Sequence, residues 1–231
     1  MELQENLDLI YDVDAVLRGQ GADAAILRAR RPGLVKVAEK AMQESFSLLL
    51  PKVIYQEYAV EGVLHERILL QGGQKIDSKL LAQHLGGASR LIVILATIGE
   101  KLEEQVSKIW DADMVYALAL DGAGSASVEA LANAACLYFE KQAEQEKLEA
   151  SIPFSPGMVD WTVRDGQPQI FNLLGEEGSI VNLTPSCIMI PQKSLTMIMG
   201  IGANLKSAGR ACDFCSMRET CRYQDHYAIT Q

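Results

Sequence analysis

The sequence predicts an α+β domain in which helices pack on an antiparallel sheet. Three observations carry that expectation: two β-branched and aromatic runs close enough in sequence to pair as neighbours, one uninterrupted apolar run, and helical patterns that alternate with these irregularly, not in a repeating βαβ order. At 231 residues the chain has ample material for a core.

In chain order, Asp12 to Leu17 reads as a short helix ending at Gly19 or Gly21, and Arg31-Pro32-Gly33 breaks the chain before the next element. Leu34, Val37, Ala38, Ala41, Met42, Ser45 and Phe46 keep helical spacing until Pro51. Lys52 to Val60 and Arg67 to Leu70 are strand-like and should form a meander. Asp77 is placed to cap a helix over 78–85, which Gly86-Gly87 stops. The apolar run Leu91 to Ala96 predicts a buried strand, and Thr97-Ile-Gly-Glu100 after it has the form of a capping box for a helix reaching about Trp110. A longer helix is predicted from about Asp113 to Glu149. Its small-residue stretch, with Gly122 and Gly124 each costing about 1 kcal/mol in a helix interior, requires either close backbone packing or a ligand. Pro153 to Trp161 is a Pro/Gly loop, Pro168 to Leu174 a short helix, and Ser194 to Gly202 a final strand. The expected organisation is an α+β domain over 1–205 and a cysteine-containing tail over 206–231.

Composition narrows the function. Hydrophobic residues make up 48% and charged residues 22%, and no apolar run approaches the roughly 20 residues of a membrane span. The acidic start, Met1 to Asp8, lacks a signal pattern, so a cytoplasmic location and reduced thiols are expected. A net charge of −9 argues against nucleic acid as a main partner. Nucleophile-elbow, P-loop and dinucleotide-binding signatures are absent, and His65, His84 and His226 lie near no obvious nucleophile.

The sharpest local signal is Cys212-x2-Cys215-x5-Cys221, which holds three of the five cysteines. The two-residue gap lets two sulfurs turn toward one centre, Cys221 can follow, and Cys187 or His226 could add a fourth donor. Zinc or an iron-sulfur cluster is the leading reading; reduced structural thiols and a disulfide are the alternatives. Cys136, on the apolar side of the long helix, is read as core.

Four stretches together carry a family resemblance: Ala96-Thr-Ile-Gly99, Leu120-Asp-Gly-Ala-Gly-Ser-Ala-Ser-Val-Glu-Ala-Leu131, Phe154-Ser-Pro-Gly-Met-Val-Asp-Trp161 and Leu183-Thr-Pro-Ser-Cys-Ile-Met-Ile-Pro-Gln-Lys-Ser194. In this order they resemble the activation (reactivation) domain family of cobalamin-dependent methionine synthase, in its stand-alone form, from about Val13 to the tail cysteines. The resemblance implies an α+β fold that docks on a corrinoid protein and supports reductive methylation of cob(II)alamin with S-adenosylmethionine. It also implies a groove lined by Ser155, Pro156, Gly157, Met158 and Asp160, with Glu129 and Lys193 as polar contacts, walled by the proline-glycine bend and the glycine-bearing part of the long helix. The chain departs from the family pattern at Pro153, Met158 and Leu137, which removes a guanidinium, a phenol and a carboxylate from the donor pocket. The alternative expectation is a non-catalytic module that binds a corrinoid protein and carries a structural metal or iron-sulfur centre.

Overall fold

The computed structural model describes residues 1–3, 7–203, 205, 211–219 and 221. Three helices come first: α1 (Val13–Gly19), α2 (Ala24–Arg30) and α3 (Pro32–Ser45). Asp12 and Asp23 cap the first two by accepting from the amides of Ala15 and Ile26 at 2.8 and 3.0 Å, and Pro32 opens the third. Next come the predicted meander β1 (Lys52–Leu64), β2 (Arg67–Leu70) and β3 (Gln74–Asp77), then α4 (Lys79–Leu85) and β4 (Arg90–Thr97). Helices α5 (Lys101–Ile109) and α6 (Met114–Gln145) follow, and then β5 (Glu149–Ala150) and α7 (Val163–Leu174). A small hairpin of β6 (Asn182–Leu183) and β7 (Met189–Ile190) leads to β8 (Ser194–Gly202).

One sheet of six strands, ordered β3-β2-β1-β4-β8-β5 with every pair antiparallel, organises the molecule. Strands β4 and β8 are buried on both faces, as the continuous apolar run requires. Along β4, Ile92, Ile94 and Ala96 join Met197, Met199 and Ile201 of β8 in a core shared with α6, while Leu91, Val93 and Leu95 join Ile198 in a core shared with α4 and α7. Each fully buried Leu or Ile contributes about 1.5–3 kcal/mol, so this pair anchors both layers. Helices α1 and α3 add a further layer on α6 through Val16, Leu17, Val35 and Ala38. Among the described residues no helix is long and apolar enough to cross a membrane.

The glycines of α6 are explained by that outer layer. A Cβ on Gly19 would stand 2.4 Å from the Gly122 carbonyl oxygen, and one on Gly122 would stand 2.7 Å from the Val16 carbonyl oxygen. On Gly124 it would meet Leu102 at 2.7 Å. The α1 backbone fills the space at Gly122 and the Leu102 side chain of α5 that at Gly124.

Four local expectations are corrected. Ser78, not Asp77, caps α4: its hydroxyl accepts from the Leu81 amide at 3.2 Å, while Asp77 ends β3 in an ion pair with Arg67. Thr97 stays in β4 and accepts from the Gly99 amide at 3.2 Å, and Glu100 makes no cap bond, so no capping box forms. Helix α6 stops at Gln145, because β5 must begin at Glu149 to pair with Gly202. Helix α7 starts at Val163, five residues before Pro168, because the Thr162 hydroxyl accepts from the Asp165 amide at 3.2 Å.

The backbone contact of α1 with α6 sets a test. Gly19→Ala should cost about 1–3 kcal/mol by overpacking, against its favourable helix propensity. Gly33→Ala, where a Cβ meets nothing within 4 Å, should instead stabilise slightly. Urea unfolding of both variants reads the opposite signs.

Candidate functional site

Glu129 and Lys193 share a cleft of about 300 Å³ with Ser125 and Gln192, where α6 meets the entrance to β8. The side chain of Lys193 is only 15% exposed. Its ammonium donates to Ser125 Oγ at 2.9 Å and stands 2.8 Å from an Asp121 carboxylate oxygen. Its backbone amide donates to Glu103 Oε1 at 2.7 Å. With both ends committed, Lys193 ties the start of β8 to α5 and α6. Its ion pair is with Asp121, a partner that sequence reasoning did not name, and Glu103 is a structural acceptor.

The proline-glycine bend lies elsewhere. Residues 151–154 run along the outer edge of β8: the Ser151 amide donates to the Gly200 carbonyl at 2.8 Å, and Phe154 and Ile198 exchange bonds at 2.9 and 2.8 Å. The chain then turns onto the face of the sheet that carries α4 and α7, where Phe154 and Trp161 are 1% exposed. Gly157, at φ +102°, makes a turn that other residues rarely adopt. Gly166 of α7 is needed because a Cβ there would meet Trp161 and Pro156 within 2.9 Å. Ser155, Pro156, Gly157 and Met158 line none of the described clefts. Asp160, with its own positive φ of 59°, lines a separate cleft of about 1290 Å³ between the β2–β3 hairpin and α7.

Among the described residues, no cleft joins this bend to the glycines of α6. The sheet separates the two segments, and α1 and Leu102 occupy the glycine stretch.

A different cleft does join the long helix to the chain that enters the bend. Glu140 and Glu144 of α6 form one wall, and Leu148, Glu149, Ser151 and Ile152 the other, around about 380 Å³. Burial, and after it the neighbouring Glu144, raises the Glu140 carboxyl above the ordinary carboxylate range. Just beyond the end of α6, Arg90 grips Glu146 with two bonds of 2.8 Å and stands 3.3 Å from Glu57. Three carboxylates on an open cleft favour a cationic ligand. The sequence did contain a signal: Glu140 and Glu144 are like charges at i,i+4, a pairing that costs helix stability.

The cysteines divide into two kinds. Cys136 is core, as expected; its thiol donates to Met197 Sδ at 3.4 Å, and burial pushes its pKa far up. Cys212 and Cys215 belong to a segment folded over the bend. There the Val159 amide donates to the Phe214 carbonyl at 2.8 Å, Ser216 Oγ donates to the Gly157 carbonyl at 2.7 Å, and the Phe214 ring packs 4.7 Å from His84. Cys187 sits at positive φ in the β6–β7 turn. All five cysteines are thiols, and among the described residues no group of three or more Cys, His, Asp or Glu is arranged to hold a metal ion. His226 lies outside the described residues.

With the geometry in place, the chain can be set beside known proteins. Neither a protein-family model nor a curated protein matches its sequence. A crystal structure of the MetH reactivation domain bound to AdoHcy is similar in fold, with a TM-score of 0.61 over 85% of this chain and 73% of that one, at 16% identity. The shared feature is the α+β architecture with its antiparallel sheet.

These thiol environments predict a labelling pattern. In metal-free native protein, Cys187, Cys212, Cys215 and Cys221 should react with a maleimide, and Cys136 should react only after denaturation. Mass spectrometry of labelled peptides checks this.

Proposed function

We propose that the chain is an accessory protein of corrinoid-dependent methyl transfer. It binds S-adenosylmethionine in the acidic cleft between α6 and residues 149–152 and docks on a corrinoid protein that owns the cobalt. The observation that carries this reading is the fold shared with a domain crystallised with AdoHcy. The chemistry of the cleft supports it as well: a sulfonium and an ammonium are the charges that Glu140, Glu144 and Glu149 would attract.

On this reading the protein contributes position, not covalent chemistry. The carboxylates hold the donor's cationic end, and the edge of β8 with Ser151 and Ile152 forms a rigid wall. Zinc or an iron-sulfur cluster has no gathered donor set among the described residues, so no electron step is assigned to the tail.

One observation favours a second reading, a corrinoid-protein-binding module that takes no donor. The segment over 211–216 covers the bend: Cys215 pairs with Met158, and Ser216 bonds to Gly157. Pro153 and Met158 also supply neither of the polar groups that the resemblance implies there.

Calorimetry separates the two. On the first reading S-adenosylmethionine binds saturably and more tightly than S-adenosylhomocysteine, which lacks the sulfonium charge. Glu140→Gln then weakens it by about 10- to 100-fold, the loss of one charge-assisted contact. No heat with either ligand leaves the module.

The raised Glu140 pKa fixes a pH dependence. A bound cation favours the carboxylate, so binding lowers that pKa and releases a proton. Affinity should therefore rise as pH increases through the Glu140 titration and level off above it, and the slope should vanish in Glu140→Gln.

A further inference from the structure

The cleft of about 1290 Å³ on the other face of the sheet has no part in the proposed function, and its floor contains an unexplained polar group. Trp161 lines it, is 1% exposed, and holds a buried indole N–H with no acceptor among the described residues. Most buried polar groups are paired, so such a donor calls for an account. The Nε1-bearing edge of the ring lies under the first turn of α7, where a Cβ on Gly166 would meet Trp161 Cε2 at 2.8 Å. That helix has 12 residues, and its N-terminal amides and dipole favour negative charge.

The side chains on the rim are suited to the same ligand. Arg164, on the first turn of α7, and Lys79, at the start of α4, line the cleft and form no ion pair among the described residues. Two acids on the same lining are already engaged: Asp165 accepts from the Thr162 hydroxyl at 2.6 Å, and Asp77 pairs with Arg67. Two carboxylates on the same lining, Glu66 and Asp160, have no ion-pair partner among the described residues and would oppose a bare dianion.

We infer that this cleft binds a small molecule joining an oxyanion to a cationic amine. The oxyanion, a carboxylate or a phosphate, accepts from the Trp161 indole N–H and the first turn of α7 and pairs with Arg164. The amine lies toward Glu66 and Asp160. An arginine fork recognises either oxyanion with two parallel bonds. The site is distinct from the acidic cleft beside Glu140, and the two stand or fall separately.

The two tryptophans of the chain make the test direct. Indole ¹H–¹⁵N cross-peaks of full-length protein are followed during titration with phosphoethanolamine, β-alanine, inorganic phosphate and acetate, with sodium chloride at matched ionic strength as control. Trp161→Phe assigns the buried resonance. The inference expects a saturable shift of that cross-peak with one or both zwitterions, tighter than with phosphate or acetate, weakened at least tenfold in Arg164→Gln, and no shift of the Trp110 peak. Phosphoethanolamine against β-alanine identifies the oxyanion as phosphate or carboxylate. No saturable shift, a shift equalled by chloride, or one unchanged in Arg164→Gln overturns it. Should Trp161→Phe fail to fold, the difference in exposure between the two indoles assigns the peaks and Arg164→Gln decides the result.

Discussion

The pairing of β4 with β8 constrains everything else. Both strands are buried on both faces, and a slip of one residue would exchange the set that faces α6 with the set that faces α4 and α7. The two interiors are not interchangeable, because one is packed against the alanine-rich face of α6 with Leu120, Leu131 and Phe139, and the other against Phe154, Trp161 and the leucines of α4 and α7. The register therefore fixes which segments can meet. Segments on opposite faces are separated by a packed sheet, and the described clefts lie at edges and ends. The clefts follow that rule: one beside β5 at the outer edge, one where α6 meets the entrance to β8, and one beyond β2 and β3 at the far edge.

The two edges are treated differently. At β3 the exposed backbone is closed by Gln169, whose amide oxygen accepts from the Asp77 N–H at 2.6 Å while its nitrogen donates to the Asp77 carbonyl at 3.1 Å. At β8 the edge is covered only by the two residues of β5 and the irregular run to Phe154. The end of α6 overhangs that thin cover with Glu140 and Glu144, and the acidic cleft results. An edge that is lightly covered and strongly charged is where a small cation has room to bind.

Much of this was legible in the sequence. The run Leu91 to Ala96 announced a buried strand, and Ser194 to Gly202 reads as a strand with the bounds it has, while their pairing came from the structure. Helix α2 was missed because it is only seven residues long and has no fully buried residue, Ala24 and Leu27 being only partly covered. The site residues were harder, since motif order along the chain says which segments are present but not which side of the sheet each one takes. Ser155 to Met158 and the α6 glycines stand near one another in the motif pattern, yet one packs below the sheet and the other against α1. Lys193 was identified as a polar residue of interest, while its commitment to Asp121 and Ser125 depends on a long-range contact that no local pattern encodes.

The central claim is that the sheet confines the donor site to the C-terminal half of α6 and the strand that follows it. Hydrogen exchange of the intact protein with and without S-adenosylmethionine tests it most directly. The account expects added protection over 137–152 and none over 119–129. Protection appearing jointly at 119–129 and 155–158 would contradict it, because it would require a groove that the β4–β8 register forbids.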